Sequence, residues 1–210
     1  GLGEIVFSSV ITGLKTTIDL TDHSKGIYFW RFADEHVSGK IILEVAVSLD
    51  GFIEGPNGEY DWCFNDQDYG LSEFFNQIDC IFMGRKSYEL MLNQPMEGGN
   101  PWKGIATYVF STSLKEVKGE NVKLISGDID KQVQDLVNQP GKDIWMFGGA
   151  ELLTHFVNKG WINEYRLSVH PIVLGAGKPL FQGIKERKKL KLVHHQVYET
   201  GLVALRYQPE

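Results

Sequence analysis

Cysteine is scarce in this chain, which contains only Cys63 and Cys80. Two cysteines make neither a disulfide framework nor a metal-ligand pattern, so we expect a reducing, cytoplasmic compartment and no metal site. Positive charge is not in excess either, because 27 acidic residues outweigh 21 basic ones and the formal net charge is −6. We therefore expect neither nucleic acid nor an anionic membrane surface as a partner.

Long hydrophobic runs are also missing. No apolar stretch approaches the roughly 20 residues that cross a bilayer, and the N-terminus lacks the basic start and apolar middle of a signal peptide. The chain shows no internal repeat and no low-complexity segment. Its 42% hydrophobic and 23% charged residues are typical of a globular protein, and 210 residues are enough for one domain with a substantial core.

The chain divides into an N-terminal extension, residues 1–39, and a regular domain, residues 40–210. The extension shows short β-type runs that are rich in aromatic residues and contain no recognisable chemistry; these runs are residues 5–11, 16–20 and 27–32. Its aromatic side chains are too apolar to leave in water, so we expect it to pack on the domain's own sheet or on a partner subunit.

From residue 40 onwards, apolar runs of strand length alternate with segments of helical spacing. Predicted strands are residues 40–48, 80–83, 107–110, 122–125, 144–147, 164–169, 190–199 and 202–207. Predicted helices are residues 71–78, 85–92, 129–137 with Asp128 as N-cap, and a helix that ends at Gly160. This order predicts an α/β fold with a mainly parallel sheet, helices on both faces and a closing antiparallel hairpin.

The chain is organised around residues 143–160. The apolar run 144–147 is typical of a strand buried on both faces, and Gly148 and Gly149 end it where a helix begins. Glycines at such a turn are often needed for steric reasons alone. The alternative is an anion site, because the beginning of a helix presents free backbone N–H groups and a positive dipole.

Three predicted strands end in polar or glycine-rich segments of this kind, and these segments are residues 84–87, 111–113 and 148–150. The carboxyl ends of parallel strands lie at one edge of a sheet, where ligands bind. That edge would gather two helix N-termini, two basic side chains and several hydroxyls. We therefore predict a cradle for a molecule with several phosphates, such as a nucleotide cofactor.

Five motifs in fixed order carry a family resemblance: AVSLDGFIEGPNGEYDW (46–62), IFMGRKSYE (81–89), VFSTSL (109–114), IWMFGGAELL (144–153) and HPIVLGAGKPLF (170–181). Over residues 40–207 the chain resembles the dihydrofolate-reductase-like superfamily. Within that superfamily it is most similar to bacterial proteins that share the RibD C-terminal domain of riboflavin-biosynthesis reductases. The resemblance implies a three-layer α/β fold and an NADPH-dependent reductase that is cytoplasmic, homodimeric and acts on a small molecule.

The resemblance also implies which residues hold the cofactor. Arg85, Ser111 and Thr112 would face the adenosine 2′-phosphate, and Ser87 the pyrophosphate. Gly148 and Gly149 would form an unusual turn, a cis peptide in dihydrofolate reductases, against the pyrophosphate. The remaining implied cofactor-binding residues are Ala46, Ile53, Gly84, Phe147, Ala150, Glu151 and Leu152.

The implied catalytic residues are Asp50, at the nicotinamide end of the site, Trp62, in the loop over it, and Asp68. Asp68 is nearest by spacing to the carboxylate that assists protonation of the pterin in dihydrofolate reductases, with Ser168 as a possible partner. The structural alternative is that Asp68 caps the predicted helix 71–78.

Three functions remain open from the sequence. The first is an NADPH-dependent reductase of a small heterocycle, resembling 5-amino-6-(5-phosphoribosylamino)uracil reductase. The second is a dihydrofolate reductase with Asp68 as its acid, and the third is an NADP-binding protein of the same fold that does not catalyse a reaction.

Three further signals are interpreted structurally. Residues 175–179 (GAGKP) fail the P-loop pattern, because Pro179 occupies the required Ser or Thr position, and we predict a turn there. His194 and His195 are neighbours in a predicted strand, so they point to opposite faces and cannot chelate one metal. His170 and the basic run 185–191 are expected to be a structural residue and a solvated rim.

Overall fold

The computed structural model describes residues 39–93 and 104–210, and these belong to one compact unit, Asp34–Glu210. The predicted strands of the N-terminal extension and most of the loop after the second predicted helix lie outside the described residues. The strands are β1 (Ile41–Ser48), β2 (Phe52–Glu54), β3 (Ile78–Gly84), β4 (Ala106–Phe110), β5 (Val122–Ile125), β6 (Asp143–Gly148), β7 (Glu164–His170), β8 (Lys178–Pro179), β9 (Leu190–Val197) and β10 (Val203–Pro209). The helices are α1 (Leu71–Gln77), α2 (Arg85–Asn93), α3 (Ile129–Val137) and α4 (Ala150–Lys159).

Eight strands form one sheet in the order β5-β4-β3-β6-β1-β7-β10-β9. The first six run parallel to one another, and β10 pairs antiparallel with both β7 and β9. The predicted mainly parallel sheet with a closing antiparallel hairpin is therefore confirmed.

Helices cover both faces of this sheet. One face packs against α3 and α4 through residues such as Val133 and Phe156, and the other packs against α1 and α2 through Phe74 and Tyr88. Central strands such as β3 lie between these two layers, and Phe82 is fully buried. Burying one such side chain stabilises the fold by about 1.5–3 kcal/mol, so the apolar runs predict the three-layer arrangement well.

Two helix ends match their sequence signals. The Asp128 side chain accepts a hydrogen bond from the backbone N–H of Lys131 and caps α3. Gly160 ends α4 with a φ of 70°, a left-handed conformation that glycine adopts without steric cost.

Two local predictions are wrong. Ile78 is not the last residue of a helix but the first of β3, because α1 runs into the strand without a turn and Ile78 continues the same buried face. The turn predicted at residues 175–179 is partly a strand, since β8 pairs antiparallel with β2. Strands of two and three residues are too short to show a periodic pattern, so only their pairing reveals them.

Candidate nucleotide site at the carboxyl edge of the sheet

The glycine-rich ends of β3 and β6 lie against each other. A Cβ atom on Gly149 would come within 3.7 Å of the Gly84 Cα atom, which places the two backbones in contact. The backbone N–H of Gly149 donates to the Ser87 hydroxyl over 3.1 Å. The beginnings of α2 and α4 therefore meet at one point, and we call Gly84, Ser87, Gly148 and Gly149 the glycine junction.

The turn in the glycine junction differs from the one that the resemblance implies. None of the peptide bonds in the described part of the chain is cis, whereas the corresponding turn of dihydrofolate reductases contains a cis peptide. The φ angles are 138° at Gly148 and 49° at Gly149. Two consecutive positive φ values turn the chain here, and glycine permits both.

The junction leaves the N-terminus of α4 open. No side chain caps this helix, whose N-cap residue is Gly149. Uncapped N–H groups and the helix dipole favour a bound anion. The exposed carboxylate of Glu151 lies in the first turn of the same helix and opposes this effect.

Arg85 begins α2 beside the junction, but its guanidinium is already engaged. It forms an ion pair with Glu89 one turn later, at 2.9 Å, with both side chains about 40% exposed (39% and 42%). A phosphate near Arg85 would therefore share this guanidinium with Glu89. The exposed Lys86 follows directly, and no described residue accepts a hydrogen bond from its ammonium group.

Ser111 and Thr112 follow β4, which neighbours β3 in the sheet. Ser111 is buried, and its hydroxyl accepts hydrogen bonds from the backbone N–H groups of Ser113 and Leu114. Ser111 thus shapes its own loop, whereas Thr112 is exposed and free to meet a ligand.

Phe147, Ala150 and Leu152 lie at the end of β6 and the beginning of α4. Ala150 and Leu152 are buried in the core, and the Phe147 ring packs against that of Trp145 with 4.9 Å between centroids. The predicted role of Ala150 and Leu152 in cofactor binding would therefore rest on main-chain atoms.

Asp50 joins two loops next to the carboxyl end of β1. Its carboxylate accepts hydrogen bonds from the Ser48 hydroxyl at 2.6 Å and from the backbone N–H groups of Leu174 and Gly175 at 3.1 and 2.8 Å. The hydrogen bond from Ser48, together with these backbone donors, lowers the pKa of Asp50. Asp50 is therefore ionised at neutral pH and holds the 171–177 loop against β1.

The loop after β2 and the loop after β7 line a cleft of about 260 Å³. It is lined by Trp62 among other residues of the loop after β2, and by Leu174 and Ala176 of the loop after β7. Ile53 lies in β2 and packs against the core, so its side chain supports this wall. Ala46 lies on β1, paired with Ser168 of β7.

His170 holds the loop of Trp62 in place. Its Nδ1 atom donates to the Ser168 carbonyl at 2.9 Å, and its Nε2 atom accepts from the Phe64 N–H at 3.1 Å. The Trp62 ring meets the imidazole edge-to-face at 5.3 Å. Burial lowers the pKa of His170, which agrees with the neutral ring that these two bonds require. The structural interpretation of His170 is therefore confirmed.

Asp68 stands two residues before Gly70, the N-cap residue of α1, and its side chain caps a backbone N–H in the first turn of this helix. Its carboxylate accepts hydrogen bonds from the N–H and the hydroxyl of Ser72 and from the N–H of Gly70, at 3.0, 2.6 and 3.1 Å. The Ser72 hydroxyl is the main cause of its lowered pKa. A low pKa and full exposure favour the capping role over that of a proton donor.

We expect Asp68→Ala to lower the melting temperature, because α1 loses its cap, and Asp68→Asn to lower it less, because asparagine also caps helices. Thermal unfolding followed by circular dichroism measures both. If Asp68 is instead a catalytic acid, Asp68→Asn would abolish turnover of dihydrofolate while leaving the protein folded.

A second, polar cleft lies between α1 and the β1, β7, β9 and β10 strands, and no sequence motif predicted it. Its lining includes Glu44, Arg166 and Arg206. Burial raises the pKa of Glu44 to about 7, although Arg166 and Arg206 act in the opposite direction. A glutamate within the otherwise apolar run 40–48 is the signal that could have indicated this cleft.

Metal and thiol chemistry find no support in the described residues. Within 39–93 and 104–210, no three His, Cys, Asp or Glu side chains are grouped so that they could hold a metal ion. Burial raises the pKa of Cys63 to about 11 and that of Cys80 to about 12, so neither is a reactive thiolate at neutral pH. In the same ranges, no helix has the length and apolar character needed to cross a membrane.

Comparison with known proteins shows that the fold is like that of dihydrofolate reductase. The chain is 45% identical over 177 residues to the uncharacterized protein YyaP of Bacillus subtilis (strain 168). The aligned region covers 80% of this chain and 94% of that protein. A putative riboflavin biosynthesis protein from Shewanella superposes with a TM-score of 0.73 at 24% identity, covering 81% of this chain and 99% of the other. A dihydrofolate reductase from Enterococcus faecalis, complexed with NADP(H), superposes with a TM-score of 0.58 at 14% identity, covering 82% and 98%.

The family model of the RibD C-terminal domain matches residues 39–204. The chain therefore belongs to the RibD C-terminal domain family.

Proposed function

We propose that this protein is an NADPH-dependent reductase that transfers hydride to a small heterocyclic substrate. The observation that carries the proposal is the glycine junction, where two strand ends, two helix N-termini and the Ser87 hydroxyl meet. Membership of the RibD C-terminal domain family and the likeness in fold to a reductase complexed with NADP(H) support it.

The residues of the junction fit a dinucleotide phosphate group. Gly148 and Gly149 expose backbone rather than side chains, and the uncapped beginning of α4 would face the pyrophosphate. Arg85, after β3, and Thr112, after the neighbouring strand β4, would contact the adenosine 2′-phosphate. Bound NADPH would supply the hydride, whereas the chain supplies orientation and electrostatics.

The nicotinamide end would lie toward β1 and the loops that Asp50 joins. The cavity beside Trp62 is large enough for one ring, and its walls depend on the hydrogen bonds of Asp50 and His170. In this arrangement Asp50 would fix the position of the loop that lines the site, and Trp62 would exclude water from it.

Arg85→Ala should weaken NADPH binding by about 10- to 150-fold, because a hydrogen bond to a charged group contributes about 1.5–3 kcal/mol. NADH lacks the 2′-phosphate, so its affinity should change little. Calorimetric titration with both cofactors measures the preference. Lys86→Ala is the matched control, since it removes the neighbouring exposed charge from the same helix. An unchanged NADPH/NADH ratio in Arg85→Ala would contradict this role.

The reductase activity itself is tested by NADPH oxidation in the presence of a small panel of pterins and uracils. Oxidation by one of them would support an enzyme, and a tight NADPH complex without any oxidation would favour a non-catalytic binder. Failure to bind NADPH, or binding away from the glycine junction, would overturn the proposal.

We further propose, from the family resemblance, that residues 40–210 form the reductase domain, that residues 1–39 are an extension to it, and that the protein acts as a cytoplasmic homodimer. Light scattering on the full chain and on a variant lacking residues 1–39 would test the oligomeric state and whether the extension contributes to it.

A further inference from the structure

The connection between β4 and β5, residues 111–121, contains Thr112 and is called the crossover below. Because β4 and β5 are parallel neighbours, the crossover must run back along the sheet from the end of one strand to the beginning of the next. Such connections usually contain a helix, whereas this one contains neither helix nor strand. No helical hydrogen bonds therefore hold its backbone in place.

Tyr88 of α2 holds the crossover through its hydroxyl group. The hydroxyl accepts a hydrogen bond from the backbone N–H of Lys118 at 2.6 Å and donates to the carbonyl oxygen of the same residue at 3.0 Å. Tyr88 is only 3% exposed and belongs to the apolar cluster on which Leu114 and Val117 of the crossover pack. Among the described residues, no other side chain from outside the crossover forms a hydrogen bond with the backbone of residues 112–120.

The crossover begins next to the beginning of α2. Gly84 and Phe110 are paired at the ends of β3 and β4, so Arg85 and the first residue of the crossover leave neighbouring strands, which are about 4.8 Å apart. Thr112 follows one residue later and is exposed. Arg85 and Thr112 thus belong to two different segments, α2 and the crossover, and the Tyr88 hydroxyl connects these segments.

Two backbone hydrogen bonds fix the ends of the crossover to the sheet. The N–H of Ser111 donates to the carbonyl oxygen of Ile125 in β5 at 3.0 Å. The carbonyl oxygen of Asn121 accepts from the N–H of Thr107 in β4 at 2.9 Å. The ends are therefore tied to the strands, and the bond to α2 is the one that Tyr88 makes.

We infer that Tyr88 is a positioning residue for the choice between NADPH and NADH, an inference that rests on the proposed function. Its hydroxyl fixes the crossover against α2. In this way it keeps the Thr112 hydroxyl beside the Arg85 guanidinium, where both bind one adenosine 2′-phosphate.

The physical reason is the cost of ordering a mobile donor. A phosphate site with two donors loses affinity when one of them moves freely, because binding must then order that donor again. Glu89 already competes for the Arg85 guanidinium, so a second donor at a fixed position contributes more to the selection of NADPH. NADH lacks the 2′-phosphate, so its binding does not depend on the position of Thr112.

Tyr88→Phe tests the inference, because it keeps the buried ring and removes only the hydroxyl. Calorimetric titration should show that NADPH binds about 2- to 10-fold more weakly, a change equal to the contribution of one ordinary hydrogen bond, and that NADH affinity changes little. Thr112→Ala should weaken NADPH to a similar extent. In the double variant, Tyr88→Phe should add little to the effect of Thr112→Ala, because Tyr88 acts through Thr112.

Tyr165→Phe is the matched control. It removes the hydroxyl of another buried tyrosine, which lies in β7, and should leave the NADPH/NADH ratio unchanged. Amide hydrogen exchange, measured by NMR without cofactor, reports on the crossover itself. The Lys118 N–H should exchange faster in Tyr88→Phe than in wild type, because its acceptor is removed, and at the wild-type rate in Tyr165→Phe.

Equal effects on NADPH and NADH in Tyr88→Phe, or a loss of NADPH affinity that adds in full to that of Thr112→Ala, would indicate a merely structural role and overturn the inference. Unchanged exchange at Lys118 would overturn it as well. If wild type binds NADPH, these results leave the proposed function intact. If wild type binds no NADPH, the proposed function fails, and the assignment of Tyr88 to cofactor choice fails with it, whatever the exchange rate at Lys118.

Discussion

Replacing Gly177 by alanine is expected to destabilise the protein more than any other single change proposed for this chain. Gly177 has a φ of 148°, and a Cβ atom at this position would overlap the backbone carbonyl oxygen of Glu54 and lie 3.3 Å from the Gly55 Cα atom. Backbone strain and overpacking each cost about 1–3 kcal/mol. We therefore expect a loss of roughly 2–6 kcal/mol in the free energy of unfolding, measured by urea denaturation.

The physical reason lies in the pairing of β2 with β8. Gly177 directly precedes β8, and the Glu54 carbonyl belongs to β2, so the two backbones touch at a place where any side chain would separate them. The loop that precedes Gly177 is the one that Asp50 holds through Leu174 and Gly175. A displaced loop should also change the fluorescence of Trp62, which lines the same cavity.

Gly175→Ala is the matched control for this prediction. Gly175 lies in the same loop and also has a positive φ, 75°, but the position that an alanine Cβ would occupy there has no atom of a non-neighbouring residue within 4 Å. The free energy of unfolding of Gly175→Ala should fall by only about 1–2 kcal/mol, the cost of an alanine in the left-handed conformation. Equal losses at the two glycines would show that backbone contact with β2 is not the cause.

The second large effect is expected at Glu44 and depends on pH. Its pKa rises from 4.5 to about 7 on folding, chiefly because the carboxylate is buried, and Glu164 adds to this while Arg166 and Arg206 oppose it. The folded state therefore holds its proton more tightly than the unfolded state. Below pH 4.5 Glu44 is protonated in both states and does not lower the free energy of unfolding. This free energy falls as the pH rises from 4.5 toward 7, and the loss is complete above pH 7.

Glu44→Gln removes this pH-dependent cost. The stability of the variant relative to wild type should rise by roughly 3 kcal/mol between about pH 4 and pH 8, because each unit of pKa shift corresponds to about 1.4 kcal/mol. Urea denaturation at a series of pH values measures it. Glu199→Gln reports the effect of removing one negative charge from the surface. A constant difference between Glu44→Gln and wild type across this range would contradict the prediction.

The apolar patterns predicted the sheet and most helices because burial on two faces constrains residue type at every position. β3 and β6 were recognisable as short apolar runs bounded by glycine, and α3 by its periodicity and by Asp128. The β2–β8 pair was missed since its strands of three and two residues are shorter than any period. The positive φ angles at Gly148 and Gly149, which turn the chain between β6 and α4, could not be read from the sequence beyond the presence of two glycines.

For the candidate nucleotide site, the sequence predicted which strand ends come together but not the contacts that their side chains make. Parallel strands bring their carboxyl ends together by rule, so Gly84, Ser87 and Gly149 could be grouped from their places in the sequence. The ion pair of Arg85 with Glu89 was equally visible as a spacing of four residues, but its formation depends on which rotamers the helix surface permits. Whether the guanidinium is free for a phosphate is therefore a property of the folded chain.

Local pattern alone established an α/β sheet covered on both faces, the positions of its main elements, and the family to which the motifs correspond. Those properties follow from periodic burial and from turn chemistry, which act between residues close together in the chain. The tertiary structure decided that Asp50 ties two loops, and that Glu44 and Arg206 face one cleft without hydrogen-bond partners among the described residues. Such facts depend on strand register and side-chain packing between distant segments, which no local signal encodes.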